Sequence, residues 1–303
     1  MNCQFCQGPL SKLYRMEQYQ IVKCDRCHTS TLESMPDEDE LAKFYNGFLF
    51  QANKANLANY MSEEIRIWLQ GLNLPPDAKI LDIGGGGGFM AKAVEELGFG
   101  EAYFIDLDQK ACEFAKEQLE IRHVVHGNVY GLSEKIAERF DFIYSRHVIE
   151  HVLQPTRMLN EMISLLNPGG VAEVILPNGI SREYLGHPKL LEPRINKILA
   201  ANPSWSRSMV WSTFLGPGIA HGIDPIRHLW AISGKGIATY LKKFTEVEYV
   251  ISSAFLNDRT YSMYHAKRLS KTGKDKLKTA LINRTWGKLG GGCHLIVRIR
   301  KRN

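Results

Sequence analysis

A short apolar run that ends in five consecutive glycines is the feature that most limits what this chain can fold into. Residues 80–83 have the length and hydrophobicity of a buried strand, residues 84–88 are all glycine, and residues 89–97 have the spacing of a helix. Strand-like runs and amphipathic helices then alternate as far as residue 176, and further strands are predicted at 245–255 and 294–299. Because parallel strands need crossover connections, this order predicts an α/β fold whose parallel sheet is covered by helices on both faces.

Two CxxC pairs stand near the start of the chain, with 17 residues between them. This spacing is typical of a zinc ribbon in which four thiolates close a tetrahedral shell, so the metal is expected to be structural. Reduced, unliganded thiols are the alternative, and a disulfide is disfavoured because the polar beginning shows no secretory signal and indicates a cytoplasmic protein. The predicted zinc ligands are Cys3, Cys6, Cys24 and Cys27.

Composition shifts divide the chain into three parts. Residues 1–34 are predicted to be the zinc ribbon, residues 35–76 a helical linker in which Asp37 caps a helix, and residues 77–303 the α/β domain. Residues 177–232 are rich in proline, histidine and tryptophan, and we expect them to form a cap above the carboxyl ends of the strands. No stretch approaches the roughly 20 apolar residues of a membrane span.

The C-terminal segment 265–303 is strongly basic. It contains 12 Lys or Arg and one acid, whereas the whole chain has a net charge of +6. It could meet the phosphates of a nucleotide-linked substrate, an RNA or an anionic membrane surface, or it could be a solvated helix face.

The glycine loop has two possible ligands. Residues 86–91 satisfy G-x-G-x-x-A, and Asp106 follows about 20 residues later, as in a dinucleotide-binding fingerprint. However, Asp82 lies inside the first strand, where a dehydrogenase usually has an apolar residue. In addition, Phe140-Asp141-Phe142-Ile143 precedes Glu150-His151-Val152, and Asn167-Pro168-Gly169-Gly170 precedes the next strand.

With these motifs, in this order, the chain resembles the class I S-adenosylmethionine-dependent methyltransferases. The resemblance implies a Rossmann-like, seven-stranded sheet and S-adenosylmethionine as cofactor, with glycines beside its methionine part and an acid on its ribose. An amide could replace the acid that many members place at the adenine. The implied cofactor-binding residues are Asp82, Gly84, Gly86, Gly88, Asp106, Leu107, Asn128, Val129 and Ser145.

The cysteine pairs, together with Leu41, Phe44 and Tyr45, are similar to a bacterial subgroup that carries an N-terminal zinc ribbon. That subgroup implies a small methyl acceptor, polar or phosphorylated, such as a nucleotide-linked sugar, and we expect the ribbon to help wall the acceptor pocket. The candidate bases or substrate-orienting groups are His147, His151, Tyr184 and His221.

Two other functions remain open from the sequence. One is a methyltransferase that modifies RNA or protein and uses the ribbon and the basic segment to bind a macromolecule. The other is a non-catalytic module that binds the cofactor without turnover. The acceptor, the atom that is methylated and the oligomeric state are not encoded in any motif.

Overall fold

The computed structural model describes residues 2–46, 63–181, 185, 188–215, 222–254 and 292–303. The predicted basic helix at 267–282, as well as Tyr184 and His221, lie outside the described residues. The strands are β1 (Leu10–Met16), β2 (Tyr19–Cys24), β3 (Ser30–Leu32), β4 (Lys79–Ile83), β5 (Glu101–Asp106), β6 (His123–His126), β7 (Phe140–Arg146), β8 (Leu166–Pro177), β9 (Trp230–Ala231), β10 (Val247–Ala254) and β11 (His294–Lys301). The helices are α1 (Glu38–Tyr45), α2 (Glu63–Gln70), α3 (Phe89–Glu96), α4 (Gln109–Glu117), α5 (Leu132–Lys135), α6 (Pro155–Leu165), α7 (Pro188–Ala201), α8 (Arg207–Leu215) and α9 (Gly234–Leu241).

Seven strands form the central sheet, in the order β10-β11-β8-β7-β4-β5-β6. Strands β4 to β8 are parallel to one another, and β11 runs antiparallel to both β8 and β10. The predicted seven-stranded α/β fold is therefore confirmed. The chain order reverses between β4 and β7, and ligands of open α/β sheets bind at such a switch point, beyond the carboxyl ends of the strands.

Both faces of the sheet are buried, which is why its strands are nearly continuous apolar runs. Ile80 and Phe104 belong to one core, whereas the next residues along each strand, Leu81 and Ile105, belong to the other. All four side chains are 1% exposed or less. A parallel sheet covered by helices on both sides requires this pattern.

Strand β8 differs from the prediction at its beginning. We expected a turn at 167–170 before the strand, but the strand begins at Leu166 and contains that turn. Phe140 of β7 pairs with Leu166 and Phe142 pairs with Val171, so extra residues bulge out of β8 between these two pairs. Gly169 makes this possible because its φ is +77°, a conformation that other residues rarely adopt.

Helix α1 begins where the sequence predicts. The side chain of Asp37 accepts a hydrogen bond from the backbone N–H of Glu40, and the Glu40 side chain accepts one from the backbone N–H of Asp37. This reciprocal capping box satisfies two backbone donors that have no partner within the helix.

The ribbon strands belong to a second sheet that a distant segment completes. The order is β1-β2-β3-β9, and Thr31 of β3 pairs with Trp230 of β9. The indole N–H of Trp230 donates to the Val152 carbonyl at 2.9 Å, and its ring meets Phe5 edge-on with 6.2 Å between centroids. Trp230 therefore ties the ribbon to the loop that follows β7.

The described part of the predicted cap packs on the ribbon. The side-chain amide of Asn202, just after α7, donates to the Arg15 carbonyl of β1 at 2.8 Å, and Phe214 of α8 meets the ring of Tyr14. Among the described helices, none is both long and apolar enough to cross a membrane.

Candidate functional site

The glycine loop connects β4 to α3 in a conformation that side chains would not tolerate. Gly84, Gly86 and Gly88 have φ values of +69°, +69° and +77°. A Cβ on Gly84 would also lie 2.4 Å from Cγ2 of Val148, a residue of the loop after β7. The loop therefore needs glycine both for its backbone and for its close approach to the neighbouring loop.

Asp106 ends β5 and holds the glycine loop. Its Oδ2 accepts a hydrogen bond from the Gly86 N–H at 3.0 Å, and its Oδ1 accepts one from the Asp108 N–H at 2.9 Å. Burial raises the pKa of Asp106 to about 6, although these backbone bonds oppose the rise. Since a carboxylate offers about four lone-pair sites, each oxygen keeps one for a ligand.

Asp82 lies in β4 below the loop and is 2% exposed. Burial, followed by the charge of Asp106, raises its pKa to about 7. Its Oδ2 has no hydrogen-bond partner among the described residues. The loop and Asp82 thus fit a cofactor with a cationic group nearby, because such a group would favour the ionised carboxylate.

A cavity of about 270 Å³ opens beyond the carboxyl ends of β4 to β7. Its lining contains many of the predicted site residues: Gly84, Asp106, Leu107, Asn128, Val129, His147 and His151. The other predicted cofactor residues, Asp82, Gly86, Gly88 and Ser145, are not part of the lining. The Ser145 side chain is fully buried in β7.

One wall of the cavity was not anticipated from the sequence. Helix α1 contributes Glu38, Asp39, Leu41, Ala42 and Tyr45, whereas no described residue of the ribbon or of the cap belongs to the lining. The capping box at Asp37 predicts from the sequence that a helix begins here. The position of helix α1 over the cavity, however, depends on packing between distant segments.

Asn128 follows β6 at the far side of the cavity from β7. Its side-chain oxygen accepts a hydrogen bond from the Tyr130 N–H at 3.2 Å, which fixes the orientation of the amide. The order of the strands therefore lines up four groups along one edge of the sheet: His147 after β7, Gly84 after β4, Asp106 at the end of β5 and Asn128 after β6.

His147 lies at the switch point. It adopts a positive φ of +53°, its backbone N–H donates to the Ile175 carbonyl, and its side chain is 33% exposed. Its Nδ1 lies 3.0 Å from Oε1 of Glu150. A carboxylate only accepts hydrogen bonds, so Nδ1 carries a proton, and in the neutral imidazole Nε2 keeps a basic lone pair.

Glu150 has 1% of its surface exposed. Burial would raise its pKa, but the hydrogen bond from His147 and the neighbouring His151 lower the pKa of Glu150 to about 2. Glu150 is not among the bases or substrate-orienting groups predicted from the sequence. Its burial beside two histidines makes it a central group of the site.

His151 is held more tightly than His147. Its Nδ1 hydrogen-bonds to the Arg227 carbonyl, the Tyr45 hydroxyl lies 2.8 Å from the same nitrogen, and its ring meets His228 edge-on with 4.7 Å between centroids. Burial lowers the pKa of His151, and burial together with His151 lowers that of His228 to about 4. Both imidazoles are therefore neutral near pH 7.

The four predicted zinc ligands meet in the ribbon. The sulfurs of Cys3 and Cys27 lie 3.6 Å apart, those of Cys6 and Cys24 lie 3.4 Å apart, and all four fall within 4.8 Å of one another. A tetrahedral zinc site with bonds of about 2.3 Å places its sulfurs roughly 3.8 Å apart, whereas a disulfide would need about 2 Å. The cluster fits a metal that is fully enclosed by protein ligands.

Comparison with known proteins agrees with this geometry. Residues 54–244 match the profile of a family described as "Methyltransferase domain". A "Ubiquinone biosynthesis O-methyltransferase" of Xanthomonas axonopodis pv. citri is 33% identical over 100 residues, which cover 32% of this chain and 41% of that protein. The mitochondrial protein of the same description from Schizosaccharomyces pombe is 27% identical over 169 residues, which cover 52% and 59%.

Among solved structures, the plantazolicin methyltransferase BamL, bound to a triazolic desmethylPZN analog and SAH, aligns with a TM-score of 0.49. It is 16% identical, and the alignment covers 88% of this chain and 92% of that one. The chain spans about half the length of the curated relatives that it matches.

Proposed function

The chain belongs to the methyltransferase domain family, and from this we propose that it transfers the methyl group of S-adenosylmethionine to a hydroxyl oxygen of a small biosynthetic metabolite. The observation that carries the proposal is the row of groups along the sheet edge: His147, Gly84, Asp106 and Asn128 all line one cavity.

The order of these four groups along the sheet edge sets the orientation in which the cofactor would bind. The remaining lone pairs of Asp106 accept bonds from the two ribose hydroxyls, and the amide of Asn128 meets the adenine beyond β6. The glycine loop at Gly84 would hold the methionine part, and the cofactor would supply its methyl group at the β7 end of the cavity. This end of the cavity holds His147 and His151.

Methyl transfer from a sulfonium is an in-line displacement, and the cofactor supplies the reactive carbon. The protein holds the acceptor oxygen, the methyl carbon and the sulfur in line, which can contribute several kcal/mol. We assign the base to His147, because Glu150 fixes its Nδ1–H and leaves Nε2 able to take the acceptor proton. His151 is a positioning group, since its side chain is only 12% exposed and its Nε2 faces Glu150 at 3.8 Å.

The acceptor that we propose is a hydroxylated molecule such as the sugar of a nucleotide-linked sugar. Glu38 and Asp39 line the cavity from α1, and their carboxylates can accept hydrogen bonds from sugar hydroxyls. The same two acids would repel a phosphate at this wall, so the phosphorylated part of such an acceptor lies away from it. The curated relatives named as O-methyltransferases support an oxygen acceptor.

We assign the four-cysteine cluster to a structural zinc ion. Cys3, Cys6, Cys24 and Cys27 are each 6% exposed or less, so a bound ion would have no open coordination position. It contributes stability to the ribbon and takes no part in the transfer.

Calorimetry with S-adenosylhomocysteine and with NAD tests the cofactor. Micromolar binding of S-adenosylhomocysteine without NAD binding is the expected result, and tight NAD binding alone would overturn the proposal. Turnover is then followed as release of S-adenosylhomocysteine across a panel of hydroxylated and nucleotide-linked acceptors. If the wild-type chain binds S-adenosylhomocysteine but methylates none of these acceptors, and the His147→Ala variant behaves in the same way, the chain is a binding module.

A macromolecular acceptor gives a different result. An RNA-modifying enzyme would bind RNA with an affinity that falls steeply with salt, since each phosphate contact releases counterions. Deletion of residues 265–291 would then abolish RNA binding, whereas methylation of a small acceptor would survive that deletion.

A further inference from the structure

Three metal-ligating side chains from two distant segments meet behind the cavity wall. Glu150 and His151 follow β7, and His228 precedes β9 by two residues. One ligand atom of each lies within 4.8 Å of the others, and Glu150 is 1% exposed. The cluster borders the cavity through His151, which is one of the residues that line it.

Both imidazoles turn a lone pair away from the backbone. His151 hydrogen-bonds through Nδ1 to the Arg227 carbonyl, and His228 through Nδ1 to the Gly222 carbonyl at 2.8 Å. A carbonyl only accepts, so each Nδ1 carries a proton and each Nε2 is a bare lone pair. Histidines that bind metals almost always have their other nitrogen fixed in this way.

The carboxylate of Glu150 lies beside these two imidazoles, and one of its two oxygens accepts no hydrogen bond from the described residues. Oε1 takes the bond from His147, but Oε2 is buried and has no hydrogen-bond partner among the residues that the structure describes. Nε2 of His151 lies 3.8 Å from Oε1. Two acceptors that face each other are stabilised by a cation between them, either a proton or a metal ion. A ring nitrogen of His228 lies within 4.8 Å of the ligand atoms of both residues, so a metal ion there would have three ligands.

We propose that Glu150, His151 and His228 bind a divalent transition-metal ion. Two imidazole nitrogens and one carboxylate suit Zn²⁺, Co²⁺ or Mn²⁺, whereas Mg²⁺ and Ca²⁺ prefer oxygen ligands alone. With bonds of about 2.1 Å the ligand atoms of a tetrahedral site lie roughly 3.4 Å apart, so distances within the cluster shorten by about 1.4 Å at most on binding. Three protein ligands leave a coordination position open.

The role of the ion rests on the proposed methyl transfer. A hydroxyl of the acceptor that occupies the open position loses its proton more readily, because the ion stabilises the alkoxide. The proton passes to Nε2 of His147. The oxygen forms a bond to the methyl carbon while the carbon–sulfur bond breaks, and sulfur keeps the bonding pair to give S-adenosylhomocysteine.

Cobalt(II) is a suitable probe because its absorption distinguishes this site from the ribbon. Thiolate ligands produce an intense ligand-to-metal band, whereas nitrogen and oxygen ligands give only weak d–d bands. When Co²⁺ is titrated into the zinc-loaded full chain, we expect about one equivalent to bind with d–d bands and without the thiolate band. Glu150→Gln and, separately, His228→Gln should each weaken this binding at least tenfold.

His123→Gln is the matched control, since His123 also lies beside a carboxylate, with Nε2 2.7 Å from Glu101, but on the outer strand β6. It should bind Co²⁺ as the wild type does. Binding of S-adenosylhomocysteine shows that each variant is folded. Because Glu150 and His228 belong to distant segments, the test remains possible if one of the two variants fails to fold. Absence of the d–d bands in the wild type, or their persistence in both cluster variants, would overturn the site. A chain that binds Co²⁺ here but not S-adenosylhomocysteine would instead refute the proposed function.

Discussion

Replacing Asp106 by Asn tests the cofactor assignment at the group with the best-defined geometry. The change keeps the size of the side chain and removes its charge. In the structure both carboxylate oxygens accept backbone N–H bonds, at 3.0 Å from Gly86 and 2.9 Å from Asp108. An amide has one accepting oxygen, so its NH₂ group would face one of these donors.

The magnitude follows from the bonds that change. A hydrogen bond to a charged group contributes about 1.5–3 kcal/mol, and the substituted amide would accept one ribose bond as a neutral group and lose the other. We expect a loss of about 3 kcal/mol in binding free energy, or roughly 100-fold in affinity.

The measurement is calorimetry with S-adenosylhomocysteine. Asp108→Asn is the matched control, because Asp108 caps α4 through the Lys110 N–H and Asn is an equally good N-cap. This control should bind as the wild type does, and thermal unfolding checks the fold of both variants. If Asp106→Asn bound S-adenosylhomocysteine within about threefold of the wild type, the assignment of the ribose to this carboxylate would be wrong.

Three further predictions concern stability and metal content. Ser233→Ala removes the N-cap of α9 and the hydroxyl that donates to the Cys27 carbonyl. The free energy of unfolding, measured with urea, should fall by about 2–4 kcal/mol, whereas Ser208→Ala at an exposed position should leave it almost unchanged. Cys24→Ser should lower the zinc content and the melting temperature while S-adenosylhomocysteine affinity stays within about threefold, since the described ribbon residues do not line the cavity; a matching loss of affinity would contradict this. The raised pKa of Asp82, about 7, means that the folded state holds its proton more tightly than the unfolded chain. The stabilisation from this group is therefore fully present below about pH 4 and is lost as the pH rises through 7. Between pH 5 and pH 8, the free energy of unfolding of Asp82→Asn, measured with urea, should rise by about 3 kcal/mol relative to that of the wild type. Parallel stability profiles would show that Asp82 does not titrate in this range.

The sheet could be predicted from sequence because its signals are local. Continuous apolar runs such as 80–83 end in glycine or an acid, and the capping box at Asp37 and Glu40 marks a helix start within four residues. The positions of Gly84, Asp106 and Asn128 beside one cavity then follow from the strand order.

The remaining features depend on contacts between segments that no local pattern connects. The pairing of β3 with β9 joins residues about 200 positions apart, and the meeting of Glu150 with His228 joins residues 78 positions apart. Helix α1 forms a cavity wall because Tyr45 reaches His151, a contact across 106 positions. Spacing within the sequence says nothing about such distances.

The pairing of β3 with β9 also has a consequence for how the chain folds during synthesis. The cysteine segment leaves the ribosome before β9 does, and the edge of its sheet at β3 stays open until Trp230 and Ala231 have been made. Long-range strand pairing is slow, and an open edge can pair with another chain. A nascent chain whose cysteine segment has already bound zinc would thus wait for about 200 further residues before this edge is paired. A ribosome-bound fragment that stops before residue 230 should be more prone to aggregate than one that stops after residue 241.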